Sequence, residues 1–150
     1  MNNYENATRG TFQNADYAKQ LVSFKGMRFI GSTGVYNVTP TDIDGYIQLD
    51  NQDAFIFFEL KHGEPCLPDG QAKALTRLVD ALNDGGKNAV LFIASHNNSA
   101  EEAVIAGGTI VNRYYINKHW ILCEPAPLMN WIMEFLDYIN EKKEEKHEAD

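Results

Sequence analysis

The chain has 150 residues, 44% of them hydrophobic, and a formal net charge of −8. This size predicts one globular domain, residues 1–150, with a loose N-terminus over 1–11 and a charged C-terminal tail over 141–150. No apolar run approaches the roughly 20 residues that cross a membrane, and the first residues lack the order of a signal peptide, so we expect a cytoplasmic protein without a membrane partner. The negative charge argues against nonspecific coating of nucleic acid.

The two cysteines, Cys66 and Cys123, are isolated from each other and from any histidine at metal-ligand spacing. They therefore predict neither a disulfide framework nor a zinc site. We expect two buried or half-buried thiols.

Hydrophobic periodicity predicts an α/β fold built on a mixed sheet. Residues 42–49 alternate apolar and polar side chains, whereas the run over 54–61 is apolar on both faces until it reaches Glu59, as in a central strand. In chain order we predict a helix over 14–24, strands over 35–38, 42–49 and 54–61, a helix from Asp69 to Gly85, a strand over 89–94, a connection over 95–108 with a helical turn, a strand over 109–116 and a helix from Leu128 into the charged tail.

Local residue types refine these elements. Asp69 is the predicted N-cap of the middle helix, and Gly85 is its predicted end. His119 and Trp120 are predicted to lie in a turn and in the core. The apolar stripe of the last helix, with Phe135, predicts core packing, and a homodimer interface is the alternative.

The hairpin of residues 42–61 is predicted to bring acidic side chains together. If Leu49 pairs with Ala54 around the turn, Asp44 lies directly opposite Glu59, with β-carbons about 4.5–5.5 Å apart. The same register places Asp42 opposite Lys61. Two carboxylates this close share a proton or are neutralised by a cation, so we predict a bound ion.

Carboxylate oxygens with room for water suit Mg²⁺ or Mn²⁺. The predicted metal ligands are Asp44, Glu59 and the backbone carbonyl of Leu60. A bound divalent ion would polarise a phosphoryl oxygen, and Lys61 would orient or activate the attacking water.

These residues resemble the signature of the PD-(D/E)xK nucleases, in which an Asp opens one strand and Glu-x-Lys closes the next. The segments that carry the resemblance are Thr41-Asp42-Ile43-Asp44-Gly45 and Phe58-Glu59-Leu60-Lys61, and it covers about residues 35–95. The family commonly has a glutamine on the following helix, and Gln71 lies there. Some small members act as dimers on branched DNA.

The resemblance implies a restriction-endonuclease-like mixed sheet flanked by helices and Mg²⁺-dependent hydrolysis of DNA phosphodiester bonds, as in small phage or Holliday-junction nucleases. It implies that Asp44 and Glu59 hold the metal, that Lys61 serves the water, and that Gln71 supports the site or the substrate. Pro40 is not adjacent to an Asp, and Asp42 competes with Asp44 for the motif position.

Lys73 and Arg77 lie four residues apart on the helix after the motif and could contact phosphates, although a solvated face is the favoured alternative. Many family members carry a further acidic residue on the first helix, for which Glu5 and Asp16 are the candidates. Two other functions remain open: a catalytically silent nucleic-acid-binding or inhibitory accessory protein, and a nonenzymatic protein in which Asp42 and Lys61 form a structural ion pair.

Overall fold

The computed structural model describes residues 24–27, 36–38 and 43–148. The chain divides into two units, residues 1–42 and 43–150, and each is described by itself. In the first unit, strands β1 (Phe24–Met27) and β2 (Tyr36–Val38) form a two-stranded antiparallel sheet. The predicted helix over 14–24 lies outside the described residues, apart from the last one, where β1 begins.

The second unit is an α/β structure, as predicted: a five-stranded mixed sheet with a helix packed on each face. The strand order is β3-β4-β5-β6-β7, and every neighbouring pair is antiparallel except β4 and β5. The elements are β3 (Gly45–Leu49), β4 (Ala54–His62), α1 (Asp69–Asp84), β5 (Asn88–His96), β6 (Ile110–Ile116), β7 (His119–Pro127) and α2 (Leu128–Glu148). No helix in the described part of the chain is long and apolar enough to cross a membrane.

Strand β4 lies in the interior of the sheet. Both of its faces are apolar because α1 packs on one face of the sheet and α2 packs on the other. Ile56 and Phe58 pack in the cluster that α2 covers, whereas Phe57 packs in the cluster that α1 covers. Side chains alternate between the faces of a strand, so Glu59 and Lys61 continue the α1 face. The functional candidates therefore lie on the α1 face, at the end of β4.

The apolar stripe of α2 is confirmed as core packing. Leu128, Ile132, Phe135 and Ile139 are all buried against the sheet. The helix continues through most of the predicted charged tail and ends at Glu148.

The start of α1 differs from the prediction, whereas its end agrees with it. Pro68 occupies the N-cap position without a side-chain cap, and Asp69 already lies in the first turn. The prediction that Asp69 caps this helix is therefore wrong; its charge instead lies near the positive end of the helix dipole. Gly85 ends the helix, and Gly86 follows with a positive φ of 80°.

Strand β7 was not predicted from the sequence. Asn117 and Lys118 form a two-residue turn after β6, and both have positive φ, 49° and 67°, as in the tight turns that suit twisted hairpins. His119 then begins β7, and Trp120 is 42% exposed, so the predicted turn and core positions of these two residues are wrong. Of the two cysteines, Cys123 is half-buried as expected, but Cys66 is exposed.

Gly45 allows the ring of Phe58 to lie across the backbone of the neighbouring strand. A Cβ atom added at Gly45 would overlap that ring, which is buried in the core. We expect Gly45→Ala to lower the free energy of unfolding by about 1–3 kcal/mol, because the ring must move in a packed interior.

The measurement for Gly45→Ala is urea denaturation beside Gly70→Ala. Position 70 lies in the first turn of α1, where an added Cβ meets no atom within 4 Å. The control should be neutral or slightly stabilising, since alanine favours helix over glycine. Equal stability of the two variants would contradict the close packing at Gly45.

Candidate functional site

The β3–β4 hairpin has the predicted register. Leu49 pairs with Ala54 and Gly45 pairs with Phe58, joined through a 3-10 turn at residues 50–52. One further step along this register sets Asp44 opposite Glu59. Two hydrogen bonds hold this arrangement: the Asp44 amide donates to Glu59 Oε1 at 3.3 Å, and the Leu60 amide donates to Asp44 Oδ2 at 2.8 Å.

Glu59 is the centre of a small polar cluster in an apolar region. Its side chain is fully buried, yet Oε2 accepts hydrogen bonds from Lys61 Nζ at 2.9 Å and from Gln71 Nε2 at 2.7 Å. Lys61 Nζ also donates to Gln71 Oε1 at 3.3 Å and lies 4.0 Å from Asp44 Oδ2. Strand β4 supplies the first two residues and helix α1 supplies the glutamine.

Burial raises the pKa of the Glu59 carboxyl above its ordinary value. The hydrogen bond and charge of Lys61 lower this pKa, the nearby Asp44 carboxylate raises it, and burial is the largest of these effects. A charged Glu59 thus costs free energy in the folded protein that a positive ion at the same place would offset.

The donor set fits a hard divalent cation. Asp44 and Glu59 provide two adjacent carboxylates, and Mg²⁺ is commonly held by one or two carboxylates together with several waters. Among the side chains of residues 43–145, no three or more His, Cys, Asp or Glu form a group that could hold a metal.

Other residues singled out from the sequence lie differently. Lys73 and Arg77 are exposed on α1, and neither forms a hydrogen bond with the carboxylates among the described contacts. Their solvated placement agrees with the favoured alternative. Asp42, Glu5 and Asp16 lie outside the described residues, so the predicted pairing of Asp42 with Lys61 remains a prediction.

Arg113 is a charged residue near the site, and it is not among the site residues predicted from the sequence. It pairs with Ile93 on β5, which in turn pairs with Glu59, so all three share the α1 face. The available signal was a lone basic residue inside the apolar strand of residues 110–116.

Comparisons of the chain with protein-family models, with curated proteins and with solved structures found no match.

Proposed function

We propose that this chain is a metal-dependent nuclease with a restriction-endonuclease-like fold that hydrolyses DNA phosphodiester bonds. One observation carries the proposal: Asp44, Glu59, Lys61 and Gln71 are joined by hydrogen bonds and charge at one end of the sheet. The order of the elements along the chain supports the same fold: the β3–β4 hairpin is followed by the covering helix α1 and by β5, which is parallel to β4.

The two carboxylates are the proposed ligands of Mg²⁺ or Mn²⁺, and the Leu60 carbonyl is a third candidate. When bound, such an ion polarises a phosphoryl oxygen and lowers the pKa of a coordinated water. The Leu60 amide holds the Asp44 carboxylate through Oδ2, and the buried environment of Glu59 excludes bulk water from one side of the site.

Within the described part of the chain, the Lys61 ammonium has one N–H group left for substrate. An ammonium has three N–H groups, and two of them are directed to Glu59 and Gln71. We propose that the third donates to the attacking water or to the scissile phosphate, where it offsets the negative charge of the transition state. Gln71 acts as a positioning residue because it contacts both Lys61 and Glu59.

The test incubates the protein with supercoiled, linear, single-stranded and branched DNA in Mg²⁺, Mn²⁺ or EDTA. Cleavage should require the metal, and Lys61→Ala should cleave roughly a hundredfold more slowly because it removes a positioned donor. Lys118→Ala is the matched control, because this exposed lysine pairs with Asp84 at the opposite end of the sheet. The control variant should cleave DNA at the same rate as the wild type. Absence of both wild-type cleavage and metal binding on every substrate would refute the proposal.

The second candidate function is that of a catalytically silent accessory protein, which binds nucleic acid or acts as an inhibitor. The net charge of −8 favours the inhibitory form of this alternative, because any protein that binds nucleic acid gains affinity from Lys and Arg contacts to phosphates. DNA binding without cleavage in any metal would support this alternative. We also propose that the partner is DNA. Branched DNA as the substrate and a homodimeric state are further parts of the nuclease proposal.

A further inference from the structure

A row of paired residues crosses the α1 face of the sheet from the carboxylates to the far edge. Glu59 pairs with Ile93, Ile93 pairs with Arg113, and Arg113 pairs with Leu122 on the edge strand β7. Neighbouring strands are about 4.8 Å apart, so the Arg113 Cα lies about 10 Å from that of Glu59. Glu59 and Ile93 are themselves fully buried, so of these three residues only the half-buried Arg113 is open to a ligand, a short distance from the carboxylate site.

The Arg113 guanidinium has few partners for a half-buried charge. Its Nη2 donates to the Pro65 carbonyl at 2.9 Å, and its buried Nε has no hydrogen-bond partner. None of the ion pairs formed by the described residues includes Arg113, although acidic residues outnumber basic ones in this chain. Buried cations are almost always paired, so this guanidinium is suited to bind an anion.

An exposed aromatic side chain lies beside this charge. The Arg113 Cζ is 5.2 Å from the centroid of the Trp120 ring, and Tyr115 contacts the same ring edge-on at 5.2 Å. Trp120 is 42% exposed, and the neighbouring Leu122 is 86% exposed. The tryptophan is therefore held in place by the sheet but is still accessible to a ligand.

We propose that Arg113 and Trp120 form a subsite for a single-stranded nucleic acid, in which Arg113 binds a phosphate and Trp120 stacks on an unpaired base. A cation beside an exposed aromatic ring is the combination that binds single strands, because the faces of paired bases are covered in a duplex. The inference rests on the proposed nuclease function for its substrate class, and it predicts that the strand leaving the carboxylates is unpaired.

Binding is measured in EDTA, where no cleavage occurs, by fluorescence anisotropy. The probes are an oligothymidine and an oligouridine of about twelve nucleotides and a blunt DNA duplex of the same length. The wild type should bind a single strand more tightly than the duplex. Trp120→Ala should weaken this binding roughly tenfold, and Trp120→Phe should retain most of it. Preference for one of the two oligonucleotides distinguishes DNA from RNA.

Arg113→Gln should weaken binding of both single strands and reduce the slope of log affinity against log salt by about 0.7, the effect of one lost phosphate contact. Arg113→Lys keeps the charge and should keep that slope. Lys118→Gln is the control at the opposite end of the sheet and should bind like the wild type. Circular dichroism verifies that each variant is folded.

The subsite is overturned if the duplex binds as tightly as the single strands, or if folded Trp120→Ala and Arg113→Gln bind like the wild type. These results are independent of cleavage. If the variants lose binding but the wild type cleaves nothing, the subsite stands and the nuclease proposal fails. If Lys61→Ala abolishes cleavage while both subsite variants bind and cleave normally, the nuclease proposal stands and the subsite fails.

Discussion

Glu59→Gln should lower the rate of metal-dependent cleavage roughly a thousandfold, while the protein remains folded. The amide has nearly the shape of the carboxylate but lacks the charge that a divalent ion requires, so the loss should equal several kcal/mol of transition-state stabilisation. Calorimetric titration with Mn²⁺ should show the same loss directly. The exposed Glu141→Gln on α2 is the matched control and should leave both cleavage and metal binding unchanged.

Glu59→Gln should also change how stability depends on pH. Because the pKa of Glu59 is raised in the folded protein, the folded state holds the proton more tightly than the unfolded state. Without metal, this contribution to stability is present below the ordinary value of 4.5 and is lost as pH rises through the raised pKa. The wild type should therefore lose stability in this pH range in EDTA, and the glutamine variant should lose less.

Urea denaturation in EDTA at several pH values measures this difference. Saturating Mg²⁺ should reverse the trend in the wild type, since the ion binds the charged carboxylates. A glutamine variant that is much less stable than the wild type near neutral pH in EDTA would contradict the cost assigned to the buried charge.

Phe92→Ala should lower the free energy of unfolding by about 3–5 kcal/mol, more than any other variant proposed for this protein. Phe92 is 1% exposed in the middle of β5, and its ring lies 5.8 Å from that of Tyr114 within the cluster under α2. The truncation removes a large buried apolar surface and leaves a cavity that the sheet cannot close by a small movement. Domains of this size have total stabilities of about 5–15 kcal/mol, so the variant should be close to unfolding.

The urea midpoint of Phe92→Ala is compared with that of Ile105→Ala, whose side chain is 80% exposed. The control should differ from the wild type by less than about 0.5 kcal/mol. A loss below about 1 kcal/mol for Phe92→Ala would mean that α2 does not cover β5 as the structure has it.

Local patterns determined a large part of this fold. The alternation of residues 43–49 and the short polar turn before Ala54 were sufficient to predict the register that places Asp44 opposite Glu59. This succeeded because a slip of one residue would move every side chain of β3 to the wrong face. The glycines after α1 and the apolar stripe of α2 were likewise local signals, and both are confirmed.

Strand β7 was missed because its local signals conflict with its position. Pro125 and Pro127 argue against a strand, but β7 lies at the edge of the sheet, where only one side of the strand is paired and proline is tolerated. Trp120 was assigned to the core by its residue type alone. Its exposure follows from the edge position of β7, which no local pattern contains.

The sequence by itself determined which residue types surround the candidate site: two carboxylates, a lysine and a glutamine at spacings that suit a hairpin and the next helix. Only the tertiary structure decided that Glu59 is fully buried and bonded to both Lys61 and Gln71. It also decided that Arg113, from a strand far along the chain, lies on the same face beside Trp120. The physical reason is that burial and charge pairing depend on which strands become neighbours, and strand order is a property of the whole sheet.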